Sequence, residues 1–166
     1  FFFSYFVIIL ITSLYKMNVV KTVVYLSVVS VLLESATVLY AVFDFVVVNG
    51  NPYSRSNEFS GLAANINITA FSLVIKSSFI YYLLFRRENK LITNIFLYMI
   101  LFMVFTSLSF LLSRGAILAF FMLNFLILTF VIFKRNHYKN SIPKIIGLLT
   151  IIFFGYIMSN SIMNND

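Results

Sequence analysis

A chain of 166 residues that is 61% hydrophobic, 19% aromatic and only 10% charged, with a mean hydropathy of +1.00, is not written for water; soluble domains carry about 45–50% apolar and about 25% charged residues. The formal charge of +7 does not make a nucleic-acid reader of it, because the basic residues are scattered between apolar blocks and not gathered on one wet face. Cysteine is absent, which excludes a disulfide framework, thiol chemistry and any cysteine-held metal.

The apolar residues recur in blocks close to the 20 or so that a helix needs to cross roughly 30 Å of hydrocarbon. Six runs have this character, at roughly 1 to 15, 20 to 47, 63 to 85, 91 to 112, 115 to 133 and 143 to 159. Each is expected to be a helix, because only helices and closed barrels satisfy their backbone in lipid and these runs lack the alternation of a barrel strand. The expected fold class is all-α: a polytopic transmembrane helix bundle of about six spans, forming a single membrane domain.

The first run, "FFFSYFVIILITSLY", opens without an initiator Met or a basic n-region, and no small-residue cleavage site closes it. A signal peptide is therefore not expected, and the chain reads as a piece of a larger protein. The second run contains "VVYLSVVSVLL", whose β-branched and aromatic richness would suggest a strand in water; in lipid that preference is overridden. Between the second and third runs lies the polar loop "NGNPYSRSNEFSG", residues 49 to 61, with Asn-Gly and Asn-Pro as turn signals.

Positive charge sets the orientation, since Lys and Arg concentrate in short cytoplasmic loops. Lys16 and Lys21 flank one turn, Arg86, Arg87 and Lys90 fill a second, and Lys134, Arg135, Lys139 and Lys144 surround a third. These are alternate turns, so a single topology puts nine of the twelve basic residues inside. Arg55 and Arg114 then fall in outward-facing turns, and Lys76 lies within a span.

Arg55 has a plain reading as a solvated loop residue. Arg114 has less room, because "LLSRGAIL" leaves almost no loop to hydrate it. A span from Leu91 to Leu112 runs about 33 Å, which puts Arg114 near the outer hydrocarbon boundary. There it either snorkels to headgroup phosphates or forms an anion site. A guanidinium is permanently charged and binds phosphate through paired hydrogen bonds, while the small Ser113 and Gly115 let a ligand reach the first amides of the next helix.

Two ionisable side chains sit inside the spans. A charge at the bilayer centre costs ~2.5 to 3.5 kcal/mol on insertion scales and usually faces a partner. By rise per residue Glu34 lies ~18 Å and Lys76 ~13 Å from the inner face, close enough to form a structural intramembrane pair. Snorkelling of Lys76, or a role of either residue in transport or catalysis, are the other readings. Tyr81, Tyr82 and Tyr98 read as interface or bundle residues. The single His137 reads as a solvated loop residue, and no cluster suggests a metal site. The spans are not built on GxxxG.

Two segments carry a resemblance. "SRSNEFSGLAANINITAFSL", residues 54 to 73, resembles the arginine, glycine and Asn-x-Asn segment of the O-antigen ligase and O-antigen polymerase superfamily, with Asn65-Ile66-Asn67 standing where the family has Asn-Pro-Asn. "LSRGAILAF", residues 112 to 120, resembles the Ser-Arg-Gly/Thr-Ala segment that opens a later helix of that family. The order, spacing and topology of the two segments match as well, and the resemblance extends from about residue 20 onward.

The resemblance implies a multi-pass glycosyltransferase of the bacterial inner membrane, with residues 48–62 and 113–115 on the periplasmic side. A glycan would pass from an undecaprenyl-pyrophosphate carrier to an acceptor, with lipid A core, another glycan or a protein left open, as in O-antigen ligation, polysaccharide polymerisation or protein glycosylation. Membrane lipid is the surrounding partner, and no nucleotide sugar, cofactor or metal is implied. Arg55 and Arg114 would hold the pyrophosphate and stabilise leaving-group charge, and Asn65, Asn67, Ser113 and Gly115 would shape the pocket. A larger periplasmic loop after residue 166 would supply the general base. The alternatives are a polytopic transporter or lipid-glycan flippase, with Glu34 and Lys76 lining its path, and a structural membrane subunit in which both arginines are interface anchors.

Overall fold

The computed structural model describes residues 19–51, 53, 59–63, 65–85, 90–133 and 141–163. Among the described residues there is no strand, and five long helices follow one another: α1 (Val19–Phe43), α2 (Ile66–Leu84), α3 (Leu91–Leu111), α4 (Arg114–Phe133) and α5 (Ser141–Met163). Four of them, α1 to α4, are long and apolar enough to cross a membrane. α5 has 23 residues, of which Lys144–Ile157 form the apolar stretch. The expected span at 1 to 15 and His137 lie outside the described residues.

α1 shows how the solvent decides secondary structure. Its valine-rich sequence continues past Phe43 into a π-helical turn, Asp44–Val48, giving an apolar helical segment from Val20 to Val48. Asn49 closes it, its backbone N–H donating to Asp44 O at 3.0 Å and its side-chain amide donating to the same oxygen at 2.9 Å. In the helix interior the backbone groups that a strand would leave for a neighbour are bonded within the segment, as hydrocarbon demands.

α2 begins at a true cap. Asn65 has extended backbone angles, and its side-chain oxygen accepts from the amides of Asn67 (3.0 Å) and Ile68 (3.2 Å), satisfying two of the donors that a helix start leaves open. α3 ends abruptly: Leu112 turns into the left-handed region with φ 48°, uncommon for a leucine, and α4 starts two residues later. This tight link reverses the chain at the boundary between the two apolar blocks.

The helices alternate in direction, so the end of α1, the start of α2, the end of α3 and the start of α4 gather at one end of the bundle. α3 packs against α1, α2 and α5, while α4 leans chiefly on α2. Two glycines let α5 approach α3: a Cβ at Gly155 would stand 2.6 Å from Phe105 Cδ1, and one at Gly147 would stand 2.9 Å from Tyr98 Cζ. At the opposite end of the bundle, Lys144 Nζ donates to Leu84 O (2.6 Å), and Tyr98 OH donates to Lys144 O (3.1 Å), so the first turn of α5 caps the last carbonyls of α2.

The polar loop after α1 is not simply a solvated turn. Phe59 is fully buried, stacked against Tyr53 at 5.9 Å between centroids and edge-on to Phe45 at 5.5 Å. Tyr53 OH donates to Phe110 O and Thr69 Oγ1 donates to Ser60 O. Both flanks of residues 54 to 58 are thereby pinned onto the end of the bundle where α3 stops.

Candidate functional site

The two segments singled out from the sequence meet at that same end. Ser113, the residue before α4, is buried, and its hydroxyl donates to Asn67 Oδ1 at 3.2 Å. Its carbonyl accepts the first intrahelical bond, from the Ile117 amide at 2.9 Å. Gly115 fits against Phe71, whose ring tip would lie 3.3 Å from a Cβ at that position, so an alanine there would need that exposed ring to give by a few tenths of an ångström. Asn65, Asn67, Ser113 and Gly115 thus belong to one junction.

Arg114 stands beside the junction with its side chain exposed. Among the described residues no carboxylate pairs with it. α2 and α4 run the same way from this point, so the positive ends of two helix dipoles lie side by side next to a guanidinium. The amides of Arg114, Gly115 and Ala116 precede the first intrahelical bond of α4 and have no acceptor within the helix. A permanent cation, two adjacent helix starts and small neighbours favour an anion with several acceptor oxygens. Arg55 lies outside the described residues; Tyr53 and Phe59, two positions before it and four after, are packed at this end of the bundle.

Glu34 and Lys76 form a second polar centre, deeper in the bundle. Lys76 Nζ is 2.7 Å from Glu34 Oε2, with the carboxylate side chain 3% and the lysine side chain 25% exposed. Ser72 Oγ donates to the same carboxylate oxygen at 3.0 Å, and Lys76 also donates to Ser30 Oγ at 2.9 Å. The charges therefore compensate each other with hydroxyl support, the arrangement that makes a buried ion pair tolerable. Ser72 is five residues along α2 from Asn67, about 7.5 Å by helical rise, so this pair lies further into the bundle than the junction.

A third contact was not anticipated from the sequence. Tyr81 OH donates to Asn124 Oδ1 at 2.7 Å, and Asn124 Nδ2 donates to Phe120 O in its own helix at 2.8 Å; both residues are buried. α2 is thus bonded to α1 through Ser72 and Lys76 and to α4 through Asn67 and Tyr81. Tyr82, by contrast, is exposed, as befits a residue facing lipid or headgroups. No group of His, Cys, Asp or Glu able to hold a metal occurs among the described residues. A shallow hollow of about 400 Å³ over Phe121, Met122, Phe125 and Leu126 on α4 has purely apolar walls and offers nothing to orient a polar substrate.

Comparison with protein-family models, with characterised proteins and with solved structures finds no match for this chain.

Proposed function

We propose that this chain belongs to a glycan transferase of the bacterial inner membrane, related to the O-antigen ligases and polymerases, which moves a glycan from undecaprenyl pyrophosphate to an acceptor hydroxyl. The observation that carries this reading is the Ser113–Asn67 hydrogen bond, which joins the two segments resembling that family at one helix junction with an exposed arginine beside it.

In this reading the junction sits at the periplasmic headgroup level and the basic turns face the cytoplasm, as the distribution of Lys and Arg favours. Arg114, with Arg55, binds the pyrophosphate, and Asn65, Asn67, Ser113 and Gly115 shape its surroundings. The acceptor oxygen, from lipid A core or from another glycan, bonds to the anomeric carbon as the bond from that carbon to the pyrophosphate oxygen breaks. The electron pair leaves with undecaprenyl pyrophosphate, where guanidinium charge stabilises it. The hydroxyl proton passes to a base beyond the described residues.

Glu34 and Lys76 favour a second reading, a transporter or lipid-glycan flippase, because ionisable groups at bilayer depth commonly line a path. Reconstitution of the intact protein in liposomes separates the two. With labelled lipid-linked glycan and acceptor on the same side, a transferase yields labelled acceptor and free undecaprenyl pyrophosphate. A flippase yields translocated, chemically unchanged donor.

A further inference from the structure

We infer that the Tyr81–Asn124 hydrogen bond is a positioning contact for Arg114, holding α4 at the roll that turns the guanidinium to the open side of the junction. The inference rests on the function proposed above. Ser113, just before α4, and Ala116, Phe120, Asn124 and Val131 on it are buried, spaced so that they share one face. Arg114, Leu118, Phe121 and Phe125 are exposed on another. At 3.6 residues per turn, Asn124 lies about 15 Å along the helix from Arg114 and about 80° around it.

The contact matters because it is directional, whereas the packing of Phe120 and Phe121 on Phe105 of α3, at 5.8 and 6.3 Å between ring centroids, is not. The helix leans chiefly on α2 and only slightly on α3, and it is joined to α3 by two residues, Leu112 and Ser113, the first left-handed. Such a link lets a helix swing and roll about its first turn. The Ser113–Asn67 bond holds the near end at 3.2 Å; the shorter Tyr81–Asn124 bond holds a second point at 2.7 Å. Two points on one face fix both the direction and the roll of a rigid rod. Asn124 is aimed unambiguously: its amide nitrogen donates to Phe120 O, which leaves its oxygen for α2, where the Tyr81 hydroxyl donates to it. Without that bond both groups are buried polar atoms without their partner, and a rolled α4 is the way for them to find another.

The test uses Y81F and N124L in the intact protein. The 166 residues contain no cysteine, so spin labels within them go only to engineered positions, Ile75→Cys on α2 and Leu118→Cys on α4, both exposed. Each variant is expected to shift or broaden the label-to-label distance distribution. Each is also expected to lower kcat/KM for glycan transfer roughly tenfold at unchanged membrane abundance, as small misplacements of a charged group do. The double variant should be no worse than either single one, because both remove one bond. An unchanged distance distribution overturns the inference, and so does unchanged transfer in variants whose labels have moved. Moved labels in a protein whose unaltered form transfers no glycan leave the roll of α4 supported and overturn the transfer reading instead.

Discussion

Ser113 reaches across from the start of α4 to donate a hydrogen bond to Asn67 at the start of α2, 46 residues earlier in the chain and 3.2 Å away. Because Ser113 is the last residue before α4 and Asn67 lies in the first turn of α2, the bond sets two helix starts against each other. Ser113→Ala removes the donor with little change in volume. Interhelical hydrogen bonds in membranes average ~0.6 kcal/mol, so the variant is expected to keep its membrane abundance and fold. In the proposed function transfer depends on where Arg114 points, and it should fall by roughly tenfold, read as the initial rate of labelled acceptor formation in vesicles.

Glu34 and Lys76 make a different prediction, about stability. Lys76→Met leaves the buried Glu34 carboxylate with Ser72 as its remaining donor, and an uncompensated buried charge costs ~3–5 kcal/mol. Lower expression and earlier thermal unfolding in detergent are expected. The double variant Glu34→Leu/Lys76→Met removes both charges, and should recover most of the loss because a hydrophobic replacement of a buried pair is close to neutral.

The glycines of α5 differ in what lies over them. Gly155→Ala drives a methyl to 2.6 Å from the ring edge of Phe105, which is itself buried; overpacking of this kind costs ~1–3 kcal/mol. Gly147→Ala meets the tip of Tyr98 at 2.9 Å, a part-buried group at the end of its side chain. Thermal unfolding should therefore show the larger destabilisation at Gly155.

Phe59 anchors the loop that follows α1. Phe59→Ala deletes a fully buried ring stacked on Tyr53, and Phe→Ala in a packed core costs ~3–5 kcal/mol. Limited proteolysis is expected to cut the segment between 49 and 63 much faster in this variant, while α1 and α2 stay protected.

Much of the fold is legible in the sequence because lipid imposes two simple demands: length and backbone self-sufficiency. Apolar length alone marks out residues 91 to 112, and α3 runs Leu91–Leu111. Depth follows from rise per residue, which places Glu34 and Lys76 at similar heights without any knowledge of packing. Side-chain placement is harder to read. The polar loop at 49 to 61 hides its two anchors, Tyr53 and Phe59, because composition averages over a segment while burial acts on single rings. Asn124 lies in "FMLNFLILTF", where one polar residue in an apolar run leaves no periodic trace. Its place is visible only through the spacing of Ser113, Ala116 and Phe120 with it. The close approach of α5 to α3 uses Gly147 and Gly155, eight residues apart with Ile151 between them, so no GxxxG marks it.

The central claim, that the α2–α4 junction presents an arginine to a lipid-linked pyrophosphate, is tested most directly by the rate of glycan transfer in vesicles of the intact protein carrying Arg114→Ala. Loss of a charge-assisted donor to a leaving group predicts a fall of about 10²-fold or more at unchanged abundance and fold. Arg114→Lys should restore only part of the rate, because lysine keeps the charge without the paired hydrogen bonds. Full transfer by Arg114→Ala would contradict the account and leave Arg114 an anchor at the membrane surface.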